Sequence, residues 1–147
     1  MMNLPSLLFI AGRMLLGGYF ITSGYNHFHH LSMLTGYAQS KGVSMPKESV
    51  MVTGLMMLLG GLGVLLGVWV NVAVVLLAIF LVVTTLKMHQ YWKVQDPMQK
   101  MIEMVNFEKN LGLLGAVLML LAIHQPWRFA VWYYFYSDFA LSLFLCP

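Results

Sequence analysis

Charge is what this chain has least of. Its 147 residues include 8 Lys and Arg and 5 Asp and Glu, 9% in all, against about 25% in a soluble domain. A soluble fold of this size needs a polar shell over its core, and so few charges cannot supply one. Disorder is excluded from the other direction, because 60% of the residues are hydrophobic and disordered chains are poor in such residues. Cysteine is nearly absent too. Cys146 stands alone, with no CxxC, so the chain by itself cannot run a dithiol–disulfide cycle. There is no GxGxxG, no P-loop and no HExxH, so dinucleotide, nucleotide-phosphate and zinc-protease chemistry have no foothold. The net charge of +3 suits anionic lipid headgroups and gives no reason to invoke nucleic acid.

What is present is apolar sequence in long runs. Four stand out, at about 4–25, 50–70, 72–88 and 107–123. Each exceeds the length of a buried strand, and none alternates as a barrel strand would. In lipid a helix pairs its own backbone groups, and about 20 residues cross a bilayer. The expected fold is therefore an all-α integral membrane protein, a four-transmembrane-helix bundle forming one domain over 1–147. The short link around Trp69 and Asn71 predicts that the second and third spans form an antiparallel hairpin. The first run is read as a retained span, since it lacks a basic leader and Arg13 interrupts it. The tail 126–147 carries Trp127, Trp132, Tyr133, Tyr134 and Tyr136 and reads as an aromatic interfacial helix, with a fifth span as the alternative.

The few charges are placed unevenly. Lys41 and Lys47 fall between spans one and two, and Lys87, Lys93, Lys100 and Lys109 at or between spans three and four. In a four-span bundle both loops share one face, which the positive-inside rule puts in the cytoplasm. His27, His29, His30 and His89 reach the same face, and His124 the other. Same-face histidines can bind a metal or haem, relay protons, or simply sit at the interface. The glycines of span two (Gly54, Gly60, Gly61, Gly63 and Gly67), with Gly112 and Ala116 in span four, are expected to pack helices closely. Arg13 lies deep in span one with no carboxylate deep in any span to pair with it; an intramembrane charge faces a partner or a wet cavity. The segment from Pro97 to Lys109 reads as an interfacial amphipathic helix. Its Met98, Met101 and Met104 are a weak thioether set for Cu(I), and no metal site is assigned.

Several short motifs, in order, carry a family likeness. They are Arg13-Met14-Leu15-Leu16-Gly17, Ser23-Gly24, Lys41-Gly42-Val43-Ser44-Met45-Pro46, Leu58-Leu59-Gly60-Gly61, His89-Gln90-Tyr91-Trp92, and Lys109-Asn110-Leu111 through Leu114-Gly115. With these motifs the chain resembles the DoxX family of small bacterial and archaeal membrane proteins. Two positions depart from the family pattern. Met57 stands where members often carry a Glu that would pair with Arg13, and Asn71 replaces a basic residue. The resemblance implies a four-helix bundle in the bacterial or archaeal inner membrane. Some members, such as the DoxD-type subunit, belong to a thiosulfate:quinone oxidoreductase; others are linked to membrane thiol and oxidative-stress complexes.

Two functions follow as expectations. One is a subunit of a redox or respiratory-type complex with a quinone-type pocket near the lysine-rich face. There His89 would bond a quinone carbonyl and pass protons, Tyr91 and Trp92 would wall the ring, Lys109 and Asn110 would donate, and Arg13 would stabilise anionic reduced forms. Quinone is the cofactor such a pocket would take, ahead of haem. The alternative is a non-catalytic accessory subunit that stabilises a larger membrane complex. Both expect membrane lipid and other membrane subunits as partners.

Overall fold

The computed structural model describes residues 3–125 together with Trp127 and Ala130. Five α-helices account for most of them: α1 (Leu4–His29), α2 (Leu31–Ser40), α3 (Pro46–Leu66), α4 (Val70–Met88) and α5 (Pro97–Met119). Single 3-10 turns follow α4 (Tyr91–Lys93) and α5 (Leu120–Ala122). Four of these helices are long and apolar enough to cross a membrane, and α2 is the short one between the first two. The protein is a multi-pass membrane protein whose long helices necessarily contact lipid.

Local sequence sets the helix ends. Asn3 caps α1 by accepting from the Ser6 amide at 3.1 Å, and Asp96 caps α5 by accepting from the Gln99 amide at 2.8 Å. Pro5, Pro46 and Pro97 stand in the first turns of α1, α3 and α5, where the missing N–H costs nothing. Helix α3 stops at Gly67, whose φ of 70° is left-handed, and the Val68 amide returns to the Gly63 carbonyl at 3.1 Å in a Schellman-type closure. Three residues then join α3 to α4, which is the antiparallel hairpin expected.

The seam between α1 and α3 is made by glycine. A Cβ on Gly17 would lie 2.9 Å from the Gly61 carbonyl oxygen, and one on Gly61 would lie 2.9 Å from that of Gly17. One heptad along, a Cβ on Gly24 would meet the Gly54 carbonyl oxygen at 2.9 Å. Backbone this close admits no side chain. Gly60 likewise lies against Leu77 and the Ala73 carbonyl of α4. Phe20, Met57, Val64, Val74, Leu77 and Leu81 form the sealed centre of the core.

Helix α5 differs from expectation twice. It runs unbroken from Pro97 to Met119, so the amphipathic segment 97–109 and the apolar run 107–123 share one helix. Its principal helix neighbour is α4, and it turns Glu103, Asn110 and Val117 inward at heptad spacing. Gly112, expected to pack a helix closely, has open space where its Cβ would be, as does Gly115. Of the aromatic tail, Trp127 is described and is buried against Phe9, their ring centroids 5.0 Å apart. The expected interfacial helix or fifth span otherwise lies outside the described residues.

Candidate functional site

At the lysine-rich end, where α1 and α4 finish and α3 and α5 start, a cavity of about 250 Å³ opens between α1, α2, α3 and α4. Its walls are largely apolar, among them Leu34, Val43, Val50 and Met88, with His27, Tyr37, Ser49, Thr53, Thr84, Lys87 and His89 as the polar members. Val83 lines it and is half exposed, so the cavity opens toward the surface of the bundle.

One wall is backed by a polar cluster around Glu103, which is almost fully buried. Lys41 Nζ lies 2.5 Å from Glu103 Oε1, the Tyr37 hydroxyl donates to the same oxygen at 3.1 Å, and His89 Nδ1 lies 2.7 Å from Oε2. A buried carboxylate is tolerated only when its charge and lone pairs are answered, and here an ammonium, a phenol and an imidazole do so. Burial works against the Lys41 ammonium, but its hydrogen bonds and attraction to Glu103 and Tyr37 prevail and hold its pKa above the usual lysine value. Burial first, and then the Glu103 charge, push the Tyr37 phenol above its usual value. The cluster ties α2 and the following loop to α4 and α5, so it braces one wall of the cavity as well as polarising it.

His27 enters from α1. Its Nδ1 lies 2.9 Å from the Ser23 carbonyl oxygen, and its ring meets Phe80 edge-on at 6.4 Å between centroids. Of the four same-face histidines, His27 and His89 line the cavity. His29 and His30 are exposed, His29 stacking on Tyr25 and meeting the His30 ring edge-on.

The remaining expected site residues are distributed elsewhere. Tyr91 and Trp92 form an aromatic cluster with Phe107, at centroid distances of 5.2–5.8 Å, beside α5 rather than in the cavity lining. Lys109 is exposed and reaches back one turn to Asn106 Oδ1 at 2.9 Å, a cation snorkelling toward the lysine-rich face. Asn110 is buried two turns from Glu103 along α5. Met98, Met101 and Met104 are exposed on α5.

Arg13 occupies the opposite end of the bundle, about 21 Å along α1 from His27 at 1.5 Å per residue. Its Nε donates to the Val64 carbonyl at 3.1 Å and its Nη2 to the Leu65 carbonyl at 2.7 Å. These are carbonyls of the last turn of α3, which have no partner within the helix. Phe9 and Trp127 cover the guanidinium faces at 5.7 and 5.1 Å. Met57, which stands where family members often carry a Glu, lies two turns away from Val64 along α3. The charge is met there by the negative end of a helix dipole. Nearby, Gln125 donates to Asn71 at 2.8 Å, linking the start of α4 to the segment after α5.

Sequence reasoning missed Glu103, Lys41 and Tyr37. The available signal was the heptad stripe Glu103–Asn110–Val117, which shows only once α5 is continued back to Pro97.

Comparison with known proteins agrees with this architecture. No curated protein and no solved structure gives a significant match. The DoxX family model matches residues 8–90, more than half of the chain. That stretch holds Arg13, the Gly17–Gly61 seam, His27, Tyr37, Lys41 and His89, and ends before Glu103. The chain belongs to the DoxX family.

Proposed function

We propose that the protein is a small membrane subunit of a redox complex and that the cavity at its lysine-rich end is a quinone-type site. One observation carries the reading: a single cavity is lined by two histidines on different helices, and one of them is held by a buried carboxylate that is itself bonded to Lys41 and Tyr37. Apolar walls with a few convergent polar groups are the usual make-up of a small-molecule site. About 250 Å³ suits a single-ring headgroup and is too little for a haem. His89 is the group that bonds the ring oxygen and exchanges protons, Glu103 holds its imidazole, and Lys87 supplies positive charge. Arg13 serves as the cap of α3. Tyr91 and Trp92 brace α5 against the turn after α4. Electrons come from a partner subunit, since no electron-carrier motif is present in the sequence. By the positive-inside rule the site faces the cytoplasm of a bacterial or archaeal inner membrane.

The test is to purify the protein in mild detergent, extract bound lipid-soluble quinone, and titrate a short-chain benzoquinone back. Bound quinone in either redox form, or saturable binding, is expected, with the tighter-bound form weakened about tenfold in His89→Ala, the loss of roughly one polar contact. No binding in either redox form would overturn the reading.

A second reading, an accessory subunit that stabilises a larger complex, is favoured by one feature. Gly112 and Gly115 leave α5 with an open small-residue face, the kind of surface on which another membrane helix packs. Co-purification with a larger assembly that Gly112→Leu releases would support it.

A further inference from the structure

The two cavity histidines share one hydrogen-bonding state. His27 Nδ1 lies 2.9 Å from the Ser23 carbonyl oxygen. A carbonyl only accepts, so this Nδ1 carries the proton. His89 Nδ1 lies 2.7 Å from Glu103 Oε2, while Lys41 and Tyr37 both donate to Oε1. A carboxylate bound in this way also accepts, so His89 Nδ1 carries its proton too. In a neutral imidazole that leaves Nε2 as a bare lone pair.

Neither Nε2 is answered by a described protein group. Neither is sealed away, because the buried side-chain polar atoms without a partner among the described residues are Thr35 Oγ1 and Trp127 Nε1. Both residues line the same cavity, one from α1 and one from the end of α4, so each acceptor nitrogen belongs to a side chain of its wall.

We infer that this cavity selects the reduced form of its ligand, a single-ring hydroquinone whose two hydroxyls donate to His27 Nε2 and His89 Nε2. The inference rests on the quinone-site reading and adds a redox preference to it. An oxidised quinone offers two carbonyl oxygens, which only accept, so it meets two lone pairs with two lone pairs. A desolvated polar group left unmatched is more costly than the gain from an average hydrogen bond. A site built to receive a hydroxyl proton rejects the analogue that lacks it. Lys87 does not discriminate, because a phenol oxygen and a quinone carbonyl both accept from an ammonium. The discrimination lies in the two imidazoles and in Ser23 and Glu103, which fix their tautomers.

The experiment is a pair of anaerobic titrations of the detergent-purified chain at pH 8. One uses a short-chain benzoquinone and the other its hydroquinone, both with a chelator present so that no metal bridges the imidazoles. Binding about tenfold tighter for the hydroquinone is expected. His27→Phe and His89→Phe should each erase most of that preference by lowering hydroquinone affinity more than quinone affinity. Equal affinity, or tighter quinone binding, would overturn the inference and leave the quinone site standing. Binding of neither form overturns both. The wild-type comparison decides the matter even where a variant folds poorly.

Discussion

Each end of this bundle buries a charged side chain, and the two ends answer it differently. Arg13 is met by backbone carbonyls of α3 and by aromatic faces. Those carbonyls and ring faces are fixed in place and hold no proton to exchange. Glu103 is met by Lys41, Tyr37 and His89, all of which carry exchangeable protons and two of which, Tyr37 and His89, line the cavity. A charge answered by backbone holds two helices together. A charge answered by side chains can also set the protonation state of whatever binds beside it.

The largest effect expected is at the fixed end. Arg13→Leu removes two charge-assisted hydrogen bonds and leaves the Val64 and Leu65 carbonyls without them, a loss of about 3 kcal/mol at roughly 1.5–3 kcal/mol per such bond. Denaturant or thermal unfolding in micelles measures it. Ligand affinity in the variant that still folds should change less than twofold. An Arg13 variant that keeps its stability and loses ligand binding would break the comparison, because Arg13 would then serve the site.

The glycine seam runs between the two ends and gives the next effect. In Gly61→Ala the new methyl meets the Gly17 carbonyl oxygen at 2.9 Å and Ile21 at 3.0 Å. A backbone oxygen cannot rotate away, so α1 and α3 must separate at a cost of about 2 kcal/mol, within the usual range for overpacking. Gly112→Ala meets nothing within 4 Å and should gain roughly 0.5–1 kcal/mol of helix propensity. Opposite signs in the unfolding midpoints would place the packing load on α1 and α3, and equal signs would remove that distinction.

At the titratable end the expected effect is chemical first. Glu103→Gln keeps the shape but brings an amide that can donate to His89 Nδ1, so the imidazole can move its proton to Nε2. Hydroquinone affinity should fall about tenfold, near the net value of one hydrogen bond, with the preference shifting toward the quinone. Stability should drop by only about 1 kcal/mol, since Lys41 is close enough to solvent to rehydrate. Titrations of both redox forms on this variant read the shift directly.

The fold was legible because lipid leaves few choices. Apolar runs of spanning length must be helices, and the three-residue link from Gly67 to Trp69 leaves only a hairpin. The site was legible in part. His27 and His89 were placed on one face by counting spans. Glu103 was passed over because Pro97 to Lys109, taken alone, is a charged amphipathic stretch; its inward stripe is defined only by α4, which covers it. Arg13 was expected to face a partner or a wet cavity and to serve the site, because side chains are what a sequence displays. The carbonyls at the end of α3 are a partner that no residue letter encodes.

The smallest effect separates the two ends by titration alone. The folded-state pKa values of Lys41 and Tyr37 lie above their ordinary values. The folded chain therefore holds protons that the unfolded chain releases, and stability must fall as pH rises through that interval. The contribution is fully present below the unfolded values of about 10 for tyrosine and about 10.4 for lysine. It is lost progressively above them. Lys41 is a quarter exposed, so solvent screening keeps the loss to about 1 kcal/mol or less. A guanidinium keeps its charge across this range, so the Arg13 end contributes no slope. Thermal midpoints measured from pH 8 to 11 should decline near the top of the range in the wild type and in any folded Arg13 variant, and flatten in the double variant Lys41→Met/Tyr37→Phe. A decline that persists unchanged in that double variant would show that the Glu103 cluster is not its source and that the two ends differ less than their partners suggest.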